Sequence, residues 1–250
     1  MARYDFTATR LFVAPDLCAD ARVTIDGGQA NLLLNVLRLK AGDGVLLFNG
    51  RDGEWRAEIE EVKKRAAVLK IVAHTRPQEG GPDIDCCFAP LKHARLDYVV
   101  QKAVEMGAAR LRPVITRRTQ VARLNLDRMR ANAIEAAEQC GVLRVPDVEA
   151  EVPFERMIAA WPTDRLLVFC DESAGIADPL AALRAAAGDG IERAALLIGP
   201  EGGFDEKERA LALQAPRVVR LSLGPRILRA DTAAVAGMAL IQSIFGDWRN

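Results

Sequence analysis

The sequence is poor in histidine and in organised cysteine, and each shortage excludes chemistry. Its two histidines, His74 and His93, have no partner at metal-ligand spacing and no nucleophile at a recognisable distance. Cys18, Cys86, Cys87, Cys140 and Cys170 are odd in number and form no CxxC pair. They read as free thiols in a reducing compartment rather than as a disulfide framework or a zinc site. Cys140, before Gly141, reads as a packed helix-end residue. No stretch approaches the roughly 18 consecutive apolar residues of a membrane span. Met1-Ala2-Arg3-Tyr4-Asp5 also lacks the apolar run of a secretion signal, so a cytoplasmic protein with no membrane partner is expected. The GxxxxGK[ST] loop, GxGxxG and the GxSxG elbow are all missing, which weakens nucleotide hydrolysis, an ordinary dinucleotide fold and triad hydrolysis. Net charge is lacking too, with 34 basic residues against 34 acidic ones. That balance argues against polyanion binding over the whole surface.

What is present is a 250-residue chain of half-hydrophobic composition, enough for one large domain or two modest ones. The first 75 residues read as short strands: Arg10 to Val13, Val45 to Phe48, Glu54 to Ile59 and Ala67 to Val72. Asn49-Gly50 and Asp52-Gly53 supply tight-turn chemistry between them, and a small barrel is the natural closure. One helix interrupts, capped by Asp26, with Leu33, Leu34, Val36 and Leu37 on its apolar face. Residues 76–82 carry two prolines and two glycines without periodicity, the marks of a linker. From residue 83 to 250, apolar strands alternate with amphipathic helices, the pattern of a parallel sheet covered on both faces. The expected strands are Ile84 to Ala89, Arg110 to Ile115, Arg165 to Phe169, Ala194 to Ile198 and Arg217 to Leu221. One helix should end at Gly107, a second should run from Asn125 or Asp127 to Gly141, and a capping box of Asp205 and Glu208 should open a third.

Charge is uneven along the chain. Between Lys92 and Arg130 ten basic residues stand against three acids. Such a surplus attracts phosphate, or it is an ordinary solvated helix face.

Two glycine-rich turns follow apolar strands: Leu197-Ile198-Gly199-Pro200-Glu201-Gly202-Gly203, and Leu221-Ser222-Leu223-Gly224-Pro225-Arg226. Ile227-Leu228-Arg229-Ala230-Asp231-Thr232 and a buried helix to Phe245 follow the second. A strand, a glycine turn and a helix N-terminus form a common ligand site in α/β proteins, although Glu201 would repel a phosphate.

Taken together with Glu135-Ala136-Ala137-Glu138-Gln139-Cys140-Gly141, with Gln101-Lys102-Ala103-Val104-Glu105-Met106-Gly107 and with Val36-Leu37-Arg38-Leu39-Lys40-Ala41-Gly42-Asp43, these turns resemble the RsmE family. These are the small-subunit (16S) ribosomal RNA uracil-N3 methyltransferases of the SPOUT superfamily. The resemblance implies an α/β fold: a SPOUT-type parallel sheet tied in a deep trefoil knot at residues 83–250, and a PUA-like RNA-binding β-barrel at residues 1–75. It implies a homodimer acting on small-subunit ribosomal RNA, free or in an assembled subunit, with no metal. It also implies S-adenosylmethionine held by Leu197, Gly199, Pro200, Gly202, Gly203, Leu221, Leu223, Gly224, Ile227 and Leu228, with Phe169 to Glu172 as a third wall. Three positions depart from the family pattern: Asn35 for a common His, Val142 for a common Arg that Arg144 would replace, and Asp231 for the usual Glu.

Methylating uracil N3 requires removal of the imide proton. The expectation is therefore that Arg229 and Arg226 stabilise charge on the uracil carbonyls while Glu201 or Asp231, with Thr232 beside it, accepts the proton. The bland alternatives are turn-stabilising salt bridges for the arginines and a helix N-cap for Asp231-Thr232. Arg10, Arg38, Lys92, Lys102, Arg117 and Arg118 are the candidate RNA contacts. The competing readings are another RNA base as target, or a non-catalytic RNA-binding or assembly module.

Overall fold

The computed structural model describes residues 8–121, 123–175, 178–188 and 190–249; Met1 to Asp5 lie outside them. By contacts the chain divides into two compact units, residues 1–80 with 137–145, and residues 81–136 with 146–250.

The first unit is built from β1 (Arg10–Phe12), β2 (Arg22–Asp26), α1 (Gly27–Asn31), β3 (Gly44–Phe48), β4 (Glu54–Val62) and β5 (Ala66–Arg76). Its sheet has the order β1-β3-β4-β5-β2, antiparallel except for the β1–β3 pair. Register shifts along β4–β5, between Arg56 and Ala57 among others, curl the sheet around a core that includes Leu11, Ile25, Leu47, Ile59 and Leu69. Asp26 stands at the N-cap of α1 but accepts no side-chain hydrogen bond there. The expected single helix in fact changes pitch, continuing as a π-helical turn over Leu32–Val36. Arg38 follows it with φ of 58°, in the left-handed region.

Residues 137–145 belong to this unit and are tied to it by hydrogen bonds between side chains and main chain. The Phe12 N–H donates to Glu138 at 2.8 Å, and Arg76 donates to the Gly141 carbonyl at 3.0 Å. Arg144 donates to the Gly80 carbonyl at 2.7 Å.

The second unit carries β6 (Asp83–Phe88), α2 (His93–Glu105), β7 (Arg110–Ile115), α3 (Leu126–Cys140, whose last four residues count with the first unit), β8 (Asp147–Val148), β9 (Val152–Pro153) and α4 (Phe154–Ala159). It continues with β10 (Arg165–Cys170), α5 (Pro179–Ala187), β11 (Arg193–Ile198), α6 (Glu206–Ala212), β12 (Val218–Leu221) and α7 (Ala230–Phe245). The sheet runs β12-β10-β11-β6-β7-β8, with β9 also on β7, and every pair is parallel. Its inner strands are almost wholly buried, as strands covered on both faces must be. This order sets the C-terminal ends of β11 and β12 on either side of β10, so the two glycine turns and the β10 loop converge.

The parallel register also pairs two residues of the basic stretch with acids outside it. Arg110 and Arg112 on β7 lie beside Asp85 on β6, at 2.7 and 3.4 Å, and Arg112 also binds Glu149 at 2.8 Å. Burial pushes the Asp85 carboxyl up, against the attraction of Arg165, Arg110 and Arg112. Arg128 pairs with Asp97, and Lys102 with Glu105 at 2.7 Å. Arg110 and Arg112 are thus neutralised by acids outside the basic stretch, whereas Asp97 and Glu105 lie within it.

Candidate active site

Three loops build the site. Gly203 in the first turn has φ of 68° and Gly224 in the second has φ of 101°, conformations an L side chain resists. At Gly199 a Cβ would stand 2.6 Å from the buried Phe204 ring, so the turn needs glycine for close packing. The expected capping box is present: Asp205 accepts from the Glu208 N–H at 2.8 Å, and Glu208 accepts from the Asp205 N–H at 3.0 Å. Hydrogen bonding from the Glu208 and Lys207 N–H groups and from Arg117 holds the Asp205 carboxyl below its ordinary value.

Two adjoining cavities open at these loops. One, of about 650 Å³, is lined by Cys170, Glu172, residues 198–204, Ile227, Leu228 and Arg229, with Arg95 from α2. The other, of about 590 Å³, is lined by Asp171, Glu172, Ser222 to Leu228 and Ala233. Glu172, Ile227, Leu228 and Ala233 serve both. Ile227 is 95% exposed, an apolar side chain with nothing of its own unit over it. Burial pushes the Cys170 thiol up to about 12, so it lines the cavity as a protonated, unreactive group.

A buried carboxylate ties the loops together. Asp171 Oδ2 accepts from Arg220 on β12 at 2.8 Å, while Oδ1 accepts from the Ser173 N–H at 3.1 Å and hydroxyl at 2.8 Å. Arg209 on α6 approaches Asp171 at 3.3 Å and donates to Glu172 at 2.8 Å. Although burial opposes ionisation, hydrogen bonds from Ser173 and Arg220 and the charge of Arg209 hold the Asp171 carboxyl below its ordinary value. Sequence reading missed Arg95, Arg209 and Arg220, because each acts through a partner many residues away.

Of the expected cofactor residues, Gly199, Pro200, Gly202, Gly203, Leu223, Gly224, Ile227 and Leu228 line these cavities. Phe169, Leu197 and Leu221 do not: their side chains are fully buried, the first two in the core around Phe204. Arg226, Arg229 and Glu201 line the site. Neither arginine forms an ion pair among the described residues, whereas Glu201 pairs with Arg95. Asp231 and Thr232 line neither cavity. Helix α7 begins at Ala230 with Arg229 as its N-cap, so they sit inside the first turn and are not a cap. Asp231 accepts from the Thr232 N–H at 2.8 Å.

The expected RNA contacts separate. Arg10 is buried and bonded to Glu54 at 2.9 Å, with both side chains 3% exposed. It is a core ion pair of the first unit, which corrects its assignment to RNA. Arg38 and Lys92 are exposed, and Lys102 is half-buried against Glu105. Arg117 and Arg118 are exposed and bind the first turn, through Asp205 at 3.1 Å and the Gly202 carbonyl at 2.6 Å.

A family model described as an RNA methyltransferase domain matches residues 79–242. A second, described as an RNA methyltransferase PUA domain, matches residues 25–72. The ribosomal RNA small subunit methyltransferase E of Synechocystis sp. is 30% identical over 95% of this chain and 78% of its own length. The chain belongs to the ribosomal RNA small subunit methyltransferase E family. The Rickettsia conorii member is 26% identical over 93% of this chain and 94% of its own. The crystal structure of the Neisseria gonorrhoeae member, bound to S-adenosyl methionine, matches with a TM-score of 0.84 at 26% identity, covering 96% of this chain and 99% of that one. In this family the second unit is the SPOUT-type methyltransferase sheet and the first contains the PUA domain. The chain is therefore an RNA methyltransferase.

Proposed function

We propose that this protein transfers a methyl group from S-adenosylmethionine to N3 of a uridine in small-subunit (16S) ribosomal RNA. The observation that carries the reading is the loop cleft itself: glycine backbone, an uncovered Ile227 and two arginines with no ion pair among the described residues, in a family whose Neisseria gonorrhoeae member binds S-adenosyl methionine. The residues present fit that cofactor. Gly224 leaves main chain uncovered, Ile227 and Leu228 offer apolar contact to a base, and Glu172 offers a carboxylate to ribose hydroxyls. When bound, the cofactor supplies an electrophilic methyl group on sulfur.

The protein's own task is to make N3 a nucleophile. The N3–H proton must leave as the N3–CH3 bond forms, and the negative charge spreads over the two uracil carbonyls. Arg226 and Arg229, with no ion pair among the described residues, donate hydrogen bonds to those oxygens. Glu201 is the better proton acceptor, because it lines the cleft while Asp231 is occupied by the Thr232 N–H. Its ion pair with Arg95 must open for it to act. We assign residues 1–75 to RNA contact, residues 76–82 to a linker and residues 83–250 to catalysis. A cytoplasmic homodimer fits the exposed apolar Ile227 and Trp248. No described helix is long and apolar enough to cross a membrane.

Calorimetric titration with S-adenosylmethionine tests the reading. Saturable binding is expected; no heat with either the cofactor or its demethylated product, from folded protein, would reduce the chain to a silent RNA-binding module.

A further inference from the structure

The first glycine turn is held from outside the cleft as well as from within it. Pro200, Glu201, Gly202 and Gly203 form a β-turn, closed by the Gly203 N–H donating to the Pro200 carbonyl at 2.8 Å. The Gly202 carbonyl, at the exposed tip, takes no part in that closure. Arg118, from the loop that follows β7, supplies its partner: the guanidinium donates to the Gly202 carbonyl at 2.6 Å. The arginine stem lies along the same residue, since a Cβ at Gly202 would stand 3.4 Å from Arg118 Cδ and 3.6 Å from its Cβ. Arg118 lines neither cleft cavity; it meets the turn in a separate notch shared with Lys92, Gln120, Pro200 and Glu201.

The loop that carries Arg118 is itself fixed. The Thr116 and Thr119 hydroxyls are bonded at 2.9 Å, and the Thr119 N–H donates to the Thr116 carbonyl at 3.1 Å. The Arg117 N–H donates to Glu208 Oε1 at 2.7 Å, while Oε2 of the same carboxylate accepts from the Asp205 N–H at 3.0 Å. Glu208 is 3% exposed, so one buried carboxylate joins the loop after β7 to the helix that follows the turn. The main chain of Arg118 is therefore anchored without its side chain, which reaches Gly202 from a rigid mount.

Two arginines hold adjacent residues of one turn, Arg95 by the Glu201 carboxylate and Arg118 by the Gly202 carbonyl. They differ in when they can act. Removal of the N3 proton requires the Arg95 pair to open, and the Glu201 side chain is then directed by its own backbone alone. The bond from Arg118 survives that opening, because it engages the peptide and not the carboxylate. A proton acceptor must lie within hydrogen-bond reach of its proton, and a misplacement of about 1 Å costs on the order of 100-fold in rate.

Resting on the reading of Glu201 as proton acceptor, we propose that Arg118 is a positioning residue for the methyl transfer. It fixes the peptide between Glu201 and Gly202, so that the carboxylate released by Arg95 stays within reach of the uracil imide. Arg118 thereby serves the first turn rather than the RNA.

Hydrogen exchange on the full chain tests the brace without cofactor or RNA. In Arg118→Ala the amides of residues 201–203 should exchange about fivefold faster or more, with those of α6 unchanged. Methylation kinetics on small-subunit particles then read the consequence. Arg118→Ala should lower the rate at saturating RNA about tenfold or more, while KM for RNA and the affinity for S-adenosylmethionine stay within about twofold of the parent. Arg118→Lys, which keeps a donor on a long stem, should recover much of the loss. In a Glu201→Gln background Arg118→Ala should cost less than about twofold more, because the group it positions is gone. Unchanged exchange at the turn would overturn the brace. A parent-like rate, or a loss confined to KM with a shallower salt dependence, would overturn the positioning role and return Arg118 to RNA contact. A parent-like rate in Glu201→Gln would strike the reading of Glu201 and this role with it. No methyl transfer by the parent strikes the methyltransferase reading instead, and the exchange result then decides the brace by itself.

Discussion

Arg220 on β12 donates to the buried carboxylate of Asp171 at 2.8 Å, and through that bond the second glycine turn is fixed to the loop after β10. Arg209 extends the tie to the helix that follows the first turn, so one carboxylate anchors all three walls of the cleft. Asp171→Asn keeps the shape and removes the charge that two arginines face. The variant should lose about 3 kcal/mol in a denaturant melt. It should also bind S-adenosylmethionine more weakly, because the walls would no longer be held in register.

The same group predicts an acid response. Asp171 and Asp83 both have folded-state pKa values below the unfolded value: against burial in each case, Asp171 through Ser173, Arg220 and Arg209, and Asp83 through Arg165 and Arg110. As pH falls, the unfolded chain takes up these protons first. Their stabilisation is therefore present above about pH 4 and is lost as pH falls through the lower folded values. Asp85, whose pKa burial raises, works in the opposite direction and softens the fall. Melting temperature should hold near neutral pH and drop below about pH 4, with a shallower drop in Asp171→Asn.

How much of this was legible follows from the physics of each element. The strands at Arg165–Cys170 and Arg193–Ile198 are continuous apolar runs after their first residue, because parallel strands are buried on both faces, and such runs stand out in sequence. The strand Arg22–Asp26 was missed because it buries only Val23 and Ile25, too short an alternation to separate from a loop. The helix Pro179–Ala187 did carry a signal, Asp178 as cap with Pro179 at the first position, which was there to be read. Turn glycines were legible because glycine adopts the positive φ of Gly203 and Gly224 without the cost an L side chain meets there. The Asp171 clamp and the pairing of Arg110 with Asp85 were not, since their partners are set by strand order and register. Arg10 misled for the same reason: nothing near it in sequence announces Glu54.

Arg10→Ala tests that correction. It leaves Glu54 buried with a partner removed and should destabilise the first unit by about 3 kcal/mol. The salt dependence of RNA binding by the folded fraction should not change, whereas an RNA contact would make it shallower.

Gly199→Ala should act through the core. The added Cβ would stand 2.6 Å from the Phe204 ring, which is 1% exposed and packed against Phe169 and Phe154. A loss of about 2 kcal/mol is expected, read by thermal or denaturant melting, together with weaker cofactor binding as the turn shifts.

Arg229→Ala separates chemistry from binding. Removing a donor to developing charge should lower single-turnover methylation about 100-fold or more while the calorimetric affinity for S-adenosylmethionine changes little. Arg229→Lys should recover only part of the rate, because a point charge replaces a planar fork of donors. An equal loss of rate and cofactor affinity would make Arg229 a binding or folding residue.

The central claim is the transfer itself. Small-subunit particles and their naked ribosomal RNA, from cells lacking the protein, should be incubated with it and methyl-labelled S-adenosylmethionine, then digested to nucleosides and analysed by mass spectrometry. The account predicts label in 3-methyluridine, from at least one of the two substrates and at a single position. Label in any other nucleoside, or none in either substrate from protein that binds the cofactor, would contradict it.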